Sequence, residues 1–480
     1  MANIRKNLFY NIVRIGLKMS LPILILPLIT SKLGVENIGL IEYGITTVTY
    51  FILFASLGIP TFGAREVSVK KSSKSGLTLI MCELYIILFT TTILSFVFYE
   101  LFVFITPSFS SNRLLYVVLG AQVLCAPSIS GEWVFEGLEN QKYLTLRYAV
   151  IQILFVIGVF LLVKEETDSL LYVLCLVFVS IANFIINIAN ILKIISFKSI
   201  KFCQLFPLKH VKHIGITFMA QVSSLIYTQS AITILGLFTN LTSVGYYSVS
   251  VKFFRLSTAF WPALSGSFIP RLTLLWNKKQ VNAYNILCNR ILGYSILFSA
   301  YISVCMFSLS DQIILLFAGE KFLNSILILK VLSFGIIGSV FSYFLGIIVL
   351  YSKRKDRYFL QISIIVAIVN IVLNLMFVNR VTCSGIALIT SLSEYICCIL
   401  LICKFKKEYE GINIISFDFF KVICCAIITA YIITLIPFNF ESILVQFIIK
   451  LFLISIFYFS FLILFRISYV KYILKDAKVF

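Results

Sequence analysis

Runs of eighteen or more apolar residues succeed one another along this chain, separated by short polar stretches. An apolar run of that length crosses the hydrocarbon core of a bilayer as an α-helix. The pattern predicts fourteen transmembrane helices, at roughly 12–31, 38–60, 77–105, 114–136, 144–163, 169–192, 214–236, 245–269, 288–309, 326–351, 358–378, 382–403, 419–437 and 443–466. The fold class expected is therefore an all-α polytopic integral membrane protein. Basic residues precede the first run, as in a signal peptide, but no small-residue cleavage site follows. Pro22 and Pro27 lie inside a run of full spanning length, so an uncleaved first helix is expected.

Composition agrees with the pattern. The chain is 60% hydrophobic and 12% charged, against about 25% charged residues in ordinary soluble domains. The formal charge of +20 does not point to nucleic acid, because its carriers sit in loops on alternate sides of the spans. One set of loops holds Arg65, Lys70, Lys71 and Lys74, then Lys142 and Arg147, then Lys193 to Lys212, then Arg271 to Arg290, then Lys353 to Arg357, then Lys404 to Lys407. The opposite loops carry little beyond Lys32, Arg113, Lys164, Lys321 and Arg380. The positive-inside rule then places both termini in the cytoplasm.

The longest loop, about 193–213, is a natural seam. It divides the chain into six helices over 1–195, a cytoplasmic connection over 196–213, six helices over 214–404, and helices 13 and 14 with a cytoplasmic tail over 405–480. A faint repeat supports the division. Gly34-Val35-Glu36-Asn37-Ile38-Gly39 after the first span echoes Thr239-Asn240-Leu241-Thr242-Ser243-Val244-Gly245 after the seventh. Internal repeats are common in secondary transporters, with the substrate site between them.

Catalytic chemistry finds little footing. No Gly-x-x-x-x-Gly-Lys-Ser/Thr loop for nucleotide phosphates occurs. The two histidines, His210 and His213, share one basic loop, so no serine–histidine–acid set can be assembled and no metal site is expected. The 12 cysteines sit mostly within apolar runs and form no disulfide framework. Neither an enzyme nor a bound cofactor is expected, beyond a proton or sodium ion as a coupling species.

The informative residues are charges inside the spans. Lys252 and Arg255 lie ~10 and ~15 Å into the eighth helix from Gly245, near the bilayer midplane and on one helical face. Each costs about 2.5–3.5 kcal/mol at a helix centre, a cost much reduced in a water-filled cavity. They mark an anion site in a carrier, or else a buried ion pair with Glu394 as first partner. Glu394, near the middle of the twelfth span, is a coupling site for a proton or sodium ion, or the counter-charge of Lys252 or Arg255. Arg14 and Lys18 share a face of the first helix and either snorkel to the cytoplasm or join the binding site. Glu132, Glu136 and Glu139 flank Trp133 on one face at the end of the fourth span. They are an interfacial anchor, with tryptophan at headgroup depth and acids in water, or a gate that pairs with cytoplasmic cations. Lys450 and Glu42 lie near the outer interface and are read as structural.

Trp133-Val134-Phe135-Glu136-Gly137-Leu138-Glu139, running on to Tyr143 and Arg147, resembles the Trp-x-Phe-x-Gly segment of polysaccharide-exporting flippases. These include the O-antigen flippases of the Wzx type, in the multidrug/oligosaccharidyl-lipid/polysaccharide exporter superfamily. Gly63-Ala64-Arg65-Glu66, Val244-Gly245-Tyr246-Tyr247 with Lys252, and Phe317-Ala318-Gly319-Glu320-Lys321-Phe322 follow in the family's order over about the first 400 residues. The resemblance implies two six-helix lobes in a V around a central cavity, with two further C-terminal helices. It implies translocation of an undecaprenyl-diphosphate-linked oligosaccharide, an O-antigen or similar surface polysaccharide unit, from the cytoplasmic to the outer leaflet of a bacterial inner membrane by alternating access. Lys252 and Arg255, with Arg14 and Lys18, would hold the diphosphate, and Arg65 would join the three glutamates at the cytoplasmic gate. A polysaccharide polymerase complex is a partner to expect. The lipid II flippases of the superfamily also have fourteen helices and remain a rival. A multidrug exporter, which would want net acid in its cavity, and a membrane polymerase, which would want a large extramembrane loop, are weaker alternatives.

Overall fold

The computed structural model describes residues 2–195, 205–414, 416–437 and 442–469. Lys198 and Lys201 of the basic connection, and the tail beyond 469, lie outside the described residues. Among the described residues the regular structure is helical throughout, with no strand. Eleven helical segments are long and apolar enough to cross a membrane. Three more long helices, Ala2–Leu24, Val211–Phe238 and Leu241–Asn277, accompany them, consistent with fourteen crossings.

The chain forms two compact units, Met1–Val244 and Gly245–Phe480. The first contains α1 (Ala2–Leu24), α2 (Leu26–Ser56), α3 (Ile59–Lys70), α4 (Lys74–Ile105), α5 (Arg113–Leu124), α6 (Pro127–Ser130), α7 (Glu132–Gly137), α8 (Gln141–Leu162), α9 (Ser169–Ile194) and α10 (Val211–Phe238). The first apolar run is not one straight helix. Pro22 and Pro27 frame a break between α1 and α2, since a proline removes a backbone donor and crowds the preceding turn. A second break lies inside α2 at Gly34, whose φ of 72° and ψ of 177° suit glycine alone. The stretches 26–33 and 35–56 are thus separate helices, and the first two predicted spans meet at this residue.

Helix α10, expected to open the second six-helix lobe, packs on α2 and α3 and falls in the first unit. Its contacts are specific. The Tyr50 and Thr233 hydroxyls are 3.0 Å apart, Thr217 donates to the Gly58 carbonyl at 3.3 Å, and Gln221 donates to the Thr61 hydroxyl at 3.2 Å. The core beside them gathers Phe62, Val67, Met81, Leu84, Trp133 and Phe135 from α3, α4 and α7.

The second unit runs through α11 (Leu241–Asn277), nearly all of which it contains, α12 (Val281–Ser308), α13 (Ser310–Phe317), α14 (Asn324–Tyr343), α15 (Asp356–Phe377), α16 (Cys383–Lys404), α17 (Phe417–Leu435) and α18 (Ile443–Leu464). Helix α14 continues as a π-helical stretch over Phe344–Leu350. Helices α14 and α16 lie close together. Ser391 donates to the Val331 carbonyl at 3.0 Å, and the Cys398 thiol to the Gly338 carbonyl at 3.3 Å. Helices α17 and α18 pack on α12, where Tyr458 donates to the Leu297 carbonyl at 2.8 Å.

Candidate functional site

The predicted fourth span is interrupted, and the interruption builds the site. Gly131 separates α6 from α7 with a φ of 80°, a left-handed conformation that L side chains rarely adopt. A β-carbon there would lie 2.1 Å from the Tyr85 hydroxyl and 2.4 Å from Ile191 Cδ1. The helix restarts at Glu132 with a new orientation. Trp133 turns into the core, 1% exposed, and its Nε1 donates to the Ser128 carbonyl at 2.9 Å. The anchor reading is therefore corrected for this residue: Trp133 is a core side chain, because its indole fills the space between α3, α4 and α7. Glu132 is likewise not an acid in water.

Glu132 and Glu136, one turn apart on α7, meet cations from α1 and α8. Arg14 Nη2 donates to Glu136 Oε1 at 3.1 Å and to Asn11 Oδ1 at 3.2 Å. Lys18 Nζ lies 3.6 Å from Glu132 Oε2 and 5.5 Å from the centre of the Tyr148 ring. Arg147 donates from Nη2 to Glu132 Oε1 and from Nη1 to Asn187 Oδ1. Tyr143 donates to the same Asn187 oxygen at 2.9 Å, and Asn190 Nδ2 donates to the Tyr143 hydroxyl at 3.2 Å. Three cations thus share two carboxylates.

Some donors in this cluster are unspent. Arg14 Nε and Nη1 and Arg147 Nε are buried with no hydrogen-bond acceptor. A buried donor without an acceptor costs about 1–3 kcal/mol, more when charged. An anion with several oxygens would satisfy such groups, and a planar guanidinium suits phosphate oxygens in pairs.

Other candidates stand apart from the cluster. Helix α7 ends at Gly137, and Glu139 follows in a left-handed conformation with φ of 59°. It therefore does not continue the helical face of Glu132 and Glu136, and instead pairs with Lys71 at 3.0 Å near the surface. Arg65 is solvent-facing, 3.8 Å from Glu66 and stacked 6.0 Å from the Phe62 ring. Lys252, Arg255 and Glu394 belong to the second unit, Arg14 and Lys18 to the first. Lys252 is half-buried and Arg255 exposed on α11. Glu394 is buried on α16, where the Ser342 hydroxyl donates to its Oε2 at 3.3 Å. One turn before it, the Thr390 hydroxyl lies 3.1 Å from that of Tyr247 on α11.

Three functional-looking residues escaped the sequence reading. Arg147, taken as a loop cation, is buried inside α8, because Glu132 and Asn187 compensate its charge there. Asn187 is fully buried on α9 at a position indistinguishable from other polar residues in apolar runs. Glu83, on α4, has no exposed surface and accepts from Lys209 Nζ at 2.6 Å and the Phe206 amide at 2.9 Å, with His210 Nε2 at 2.8 Å. The available signal was a lone acid within an apolar run. Among the described residues no group of three or more potential metal ligands occurs.

Comparison with known proteins completes the description. The family model for "Polysaccharide biosynthesis protein" matches residues 4–276, and that for "Lipid II flippase MurJ" matches residues 145–458. A putative O-antigen transporter of Escherichia coli (strain K12) is 20% identical over 341 residues, covering 69% of this chain and 79% of the relative. Among solved structures, the lipid II flippase MurJ in an inward closed conformation superposes with a TM-score of 0.72 at 20% identity, over 95% of this chain and 99% of that one. An inward-facing multidrug resistance transporter of the MATE family, in the MOP superfamily, gives 0.64 at 13% identity, over 84% and 99%.

Proposed function

Because the chain belongs to the polysaccharide exporters and flippases of the MOP superfamily, we infer that it carries an undecaprenyl-diphosphate-linked oligosaccharide from the cytoplasmic to the outer leaflet of a bacterial inner membrane. Membership makes it a multi-pass membrane transporter rather than an enzyme. The finer reading rests on one observation: buried Arg14 and Arg147 keep unspent donors beside the carboxylates of Glu136 and Glu132.

The chemistry follows from that arrangement. Without substrate, Glu136 and Glu132 occupy Arg14 and Lys18. A diphosphate competes for the same cations with more oxygens and more charge, and in a wet cavity of low dielectric its charge-assisted bonds exceed their strength in bulk water. Exchange of carboxylate for diphosphate gives each occupancy its own set of ion pairs, and such a two-state element is what alternating access requires. In this reading Lys252 and Arg255 are the diphosphate-binding cations of the second unit. Glu394 takes a coupling proton or sodium ion or balances their charge. Glu139 and Arg65 belong to the cytoplasmic gate, and both termini lie in the cytoplasm. Serine, threonine and asparagine side chains in the spans bind sugar hydroxyls, while the polyprenyl tail stays in the bilayer.

An O-antigen-type unit is the preferred substrate, supported by the polysaccharide family match and the putative O-antigen transporter. Lipid II is the second reading, favoured by the match over residues 145–458 and the likeness to MurJ. Purified protein reconstituted with each substrate separates them. Preferential flipping of the oligosaccharide repeat unit supports the first reading, and preferential flipping of lipid II overturns it in favour of the second.

A further inference from the structure

A polar cavity lies within the second unit, between α12, α13, α14, α17 and α18. It encloses about 290 Å³ and is lined in part by Ser308, Asp311, Lys330, Thr434, Gln446 and Lys450. We propose that this cavity is a binding site for a phosphate-bearing headgroup, separate from the residues assigned to the transported substrate.

Four observations carry it. First, Lys330 Nζ lies 3.2 Å from both carboxylate oxygens of Asp311, so the aspartate is a fixed partner for one lysine. Second, Lys450 of α18 lines the same cavity as Asp311 and Lys330. Two lysines and one carboxylate therefore share a half-open cavity, an arrangement that attracts an anion and anchors a hydroxyl beside it. Third, Ser308 of α12 is among the lining residues and buried, 7% exposed, and its hydroxyl has no hydrogen-bond partner. A serine within a helix ordinarily returns its proton to a carbonyl one turn back; this one does not. Fourth, the lining residue Gln446 is held in place from behind, where Gln312 Nε2 donates to its Oε1 at 3.3 Å.

Size narrows the class. Ligand pockets run from about 300 to 1,000 Å³, so this cavity takes a headgroup and not an oligosaccharide. The phosphate would sit on Lys330 and Lys450, with neighbouring hydroxyls on Asp311, Gln446 and Ser308. The same chemistry is offered by an anionic glycerophospholipid and by free phosphate. Ile427 and Tyr431 of α17 and Ile448 and Phe452 of α18 are exposed, an apolar surface fit for acyl chains. This proposal stands whatever glycan the protein carries.

The test uses the full chain in nanodiscs of phosphatidylcholine, with and without phosphatidylglycerol, or with millimolar inorganic phosphate. Thermal stability and native mass spectrometry provide the readouts. Retention of phosphatidylglycerol that falls at least tenfold in Lys330→Gln/Lys450→Gln supports the site with a lipid as its ligand. Stabilisation by inorganic phosphate alone, lost in the same variant, supports the site with free phosphate as its source. Ser308→Ala removes only the unpartnered hydroxyl and guards against misfolding of the double variant; a severalfold weaker retention is expected. Equal binding of every ligand by wild type and both variants overturns the proposal.

Discussion

Arg14 and Glu136, 122 residues apart in sequence, form an ion pair of 3.1 Å that ties α1 to α7. The two ends of the pair differ. The Arg14 side chain is 8% exposed and that of Glu136 40%. The carboxylate can leave for water, while the guanidinium cannot easily do so.

That asymmetry predicts opposite kinetic signatures. Arg14→Ala removes a charge-assisted contact to the diphosphate, of about 1.5–3 kcal/mol, and should raise the KM for transport about tenfold to a hundredfold. Glu136→Gln removes the competitor, so substrate should bind more tightly and leave more slowly, lowering KM and kcat together. Initial rates in proteoliposomes check both. Equal losses of kcat with KM unchanged in both variants would contradict the exchange of carboxylate for diphosphate.

Glu132 and Arg147 form the more buried end of the cluster. The Arg147 side chain is 3% exposed and that of Glu132 17%. Removing one partner of a buried pair leaves the other uncompensated, at a cost of about 3–5 kcal/mol. Glu132→Ala should therefore lower the melting temperature in detergent more than Glu136→Ala does. Asn187→Leu, which strips a second acceptor from Arg147, should be destabilising in the same direction. In a double-mutant cycle, Glu132→Ala with Arg147→Ala should cost clearly less than the sum of the single changes. Additive losses would mean that the two side chains act independently.

The all-helical membrane architecture was legible in the sequence because long apolar runs are what cross a bilayer, and eleven helical segments among the described residues are long and apolar enough to do so. The site was legible only in pieces. Arg14, Lys18, Glu132 and Glu136 stood out as charges at or inside apolar runs. Their pairing did not, since it depends on the turn at Gly131 that restarts the helix. Trp133 misled for the same reason. A tryptophan at a span end suits a headgroup belt, and only the packing of α3 and α4 around α7 turns it inward. Arg147 looked like a loop cation because nothing local announces Glu132 and Asn187, its partners 15 and 40 residues away. Glu139 seemed to share a face with Glu136 until the helix ended between them.

Outside the spans, Lys353 offers a pH test. Its Nζ donates to the Glu408 carbonyl and lies 4.4 Å from the Trp276 ring and 5.4 Å from that of Tyr284. Burial holds its pKa below the ordinary 10.5, against the opposing pull of Glu408. The folded state therefore releases this proton at lower pH than the unfolded chain does. Between the folded pKa and 10.5 the unfolded chain binds more protons, so stability rises with pH across that window. Lys353→Met should keep the melting temperature at neutral pH close to wild type or raise it, because apolar replacement of a buried charge is often neutral or stabilising. It should also remove the alkaline gain. Melting curves from pH 7 to pH 10.5 decide the matter, and an identical slope in variant and wild type would contradict it.

The central claim is that deep cations of this chain carry a lipid-linked glycan across the bilayer. The most direct measurement locates complete lipid-linked repeat units in cells lacking the protein, by leaflet-selective labelling of their sugars. The account predicts units trapped on the cytoplasmic leaflet, released by wild type and not by Lys252→Ala/Arg255→Ala, with the variant present in the membrane at wild-type level. Units that reach the outer leaflet without the protein, or full release by the double variant, would contradict it.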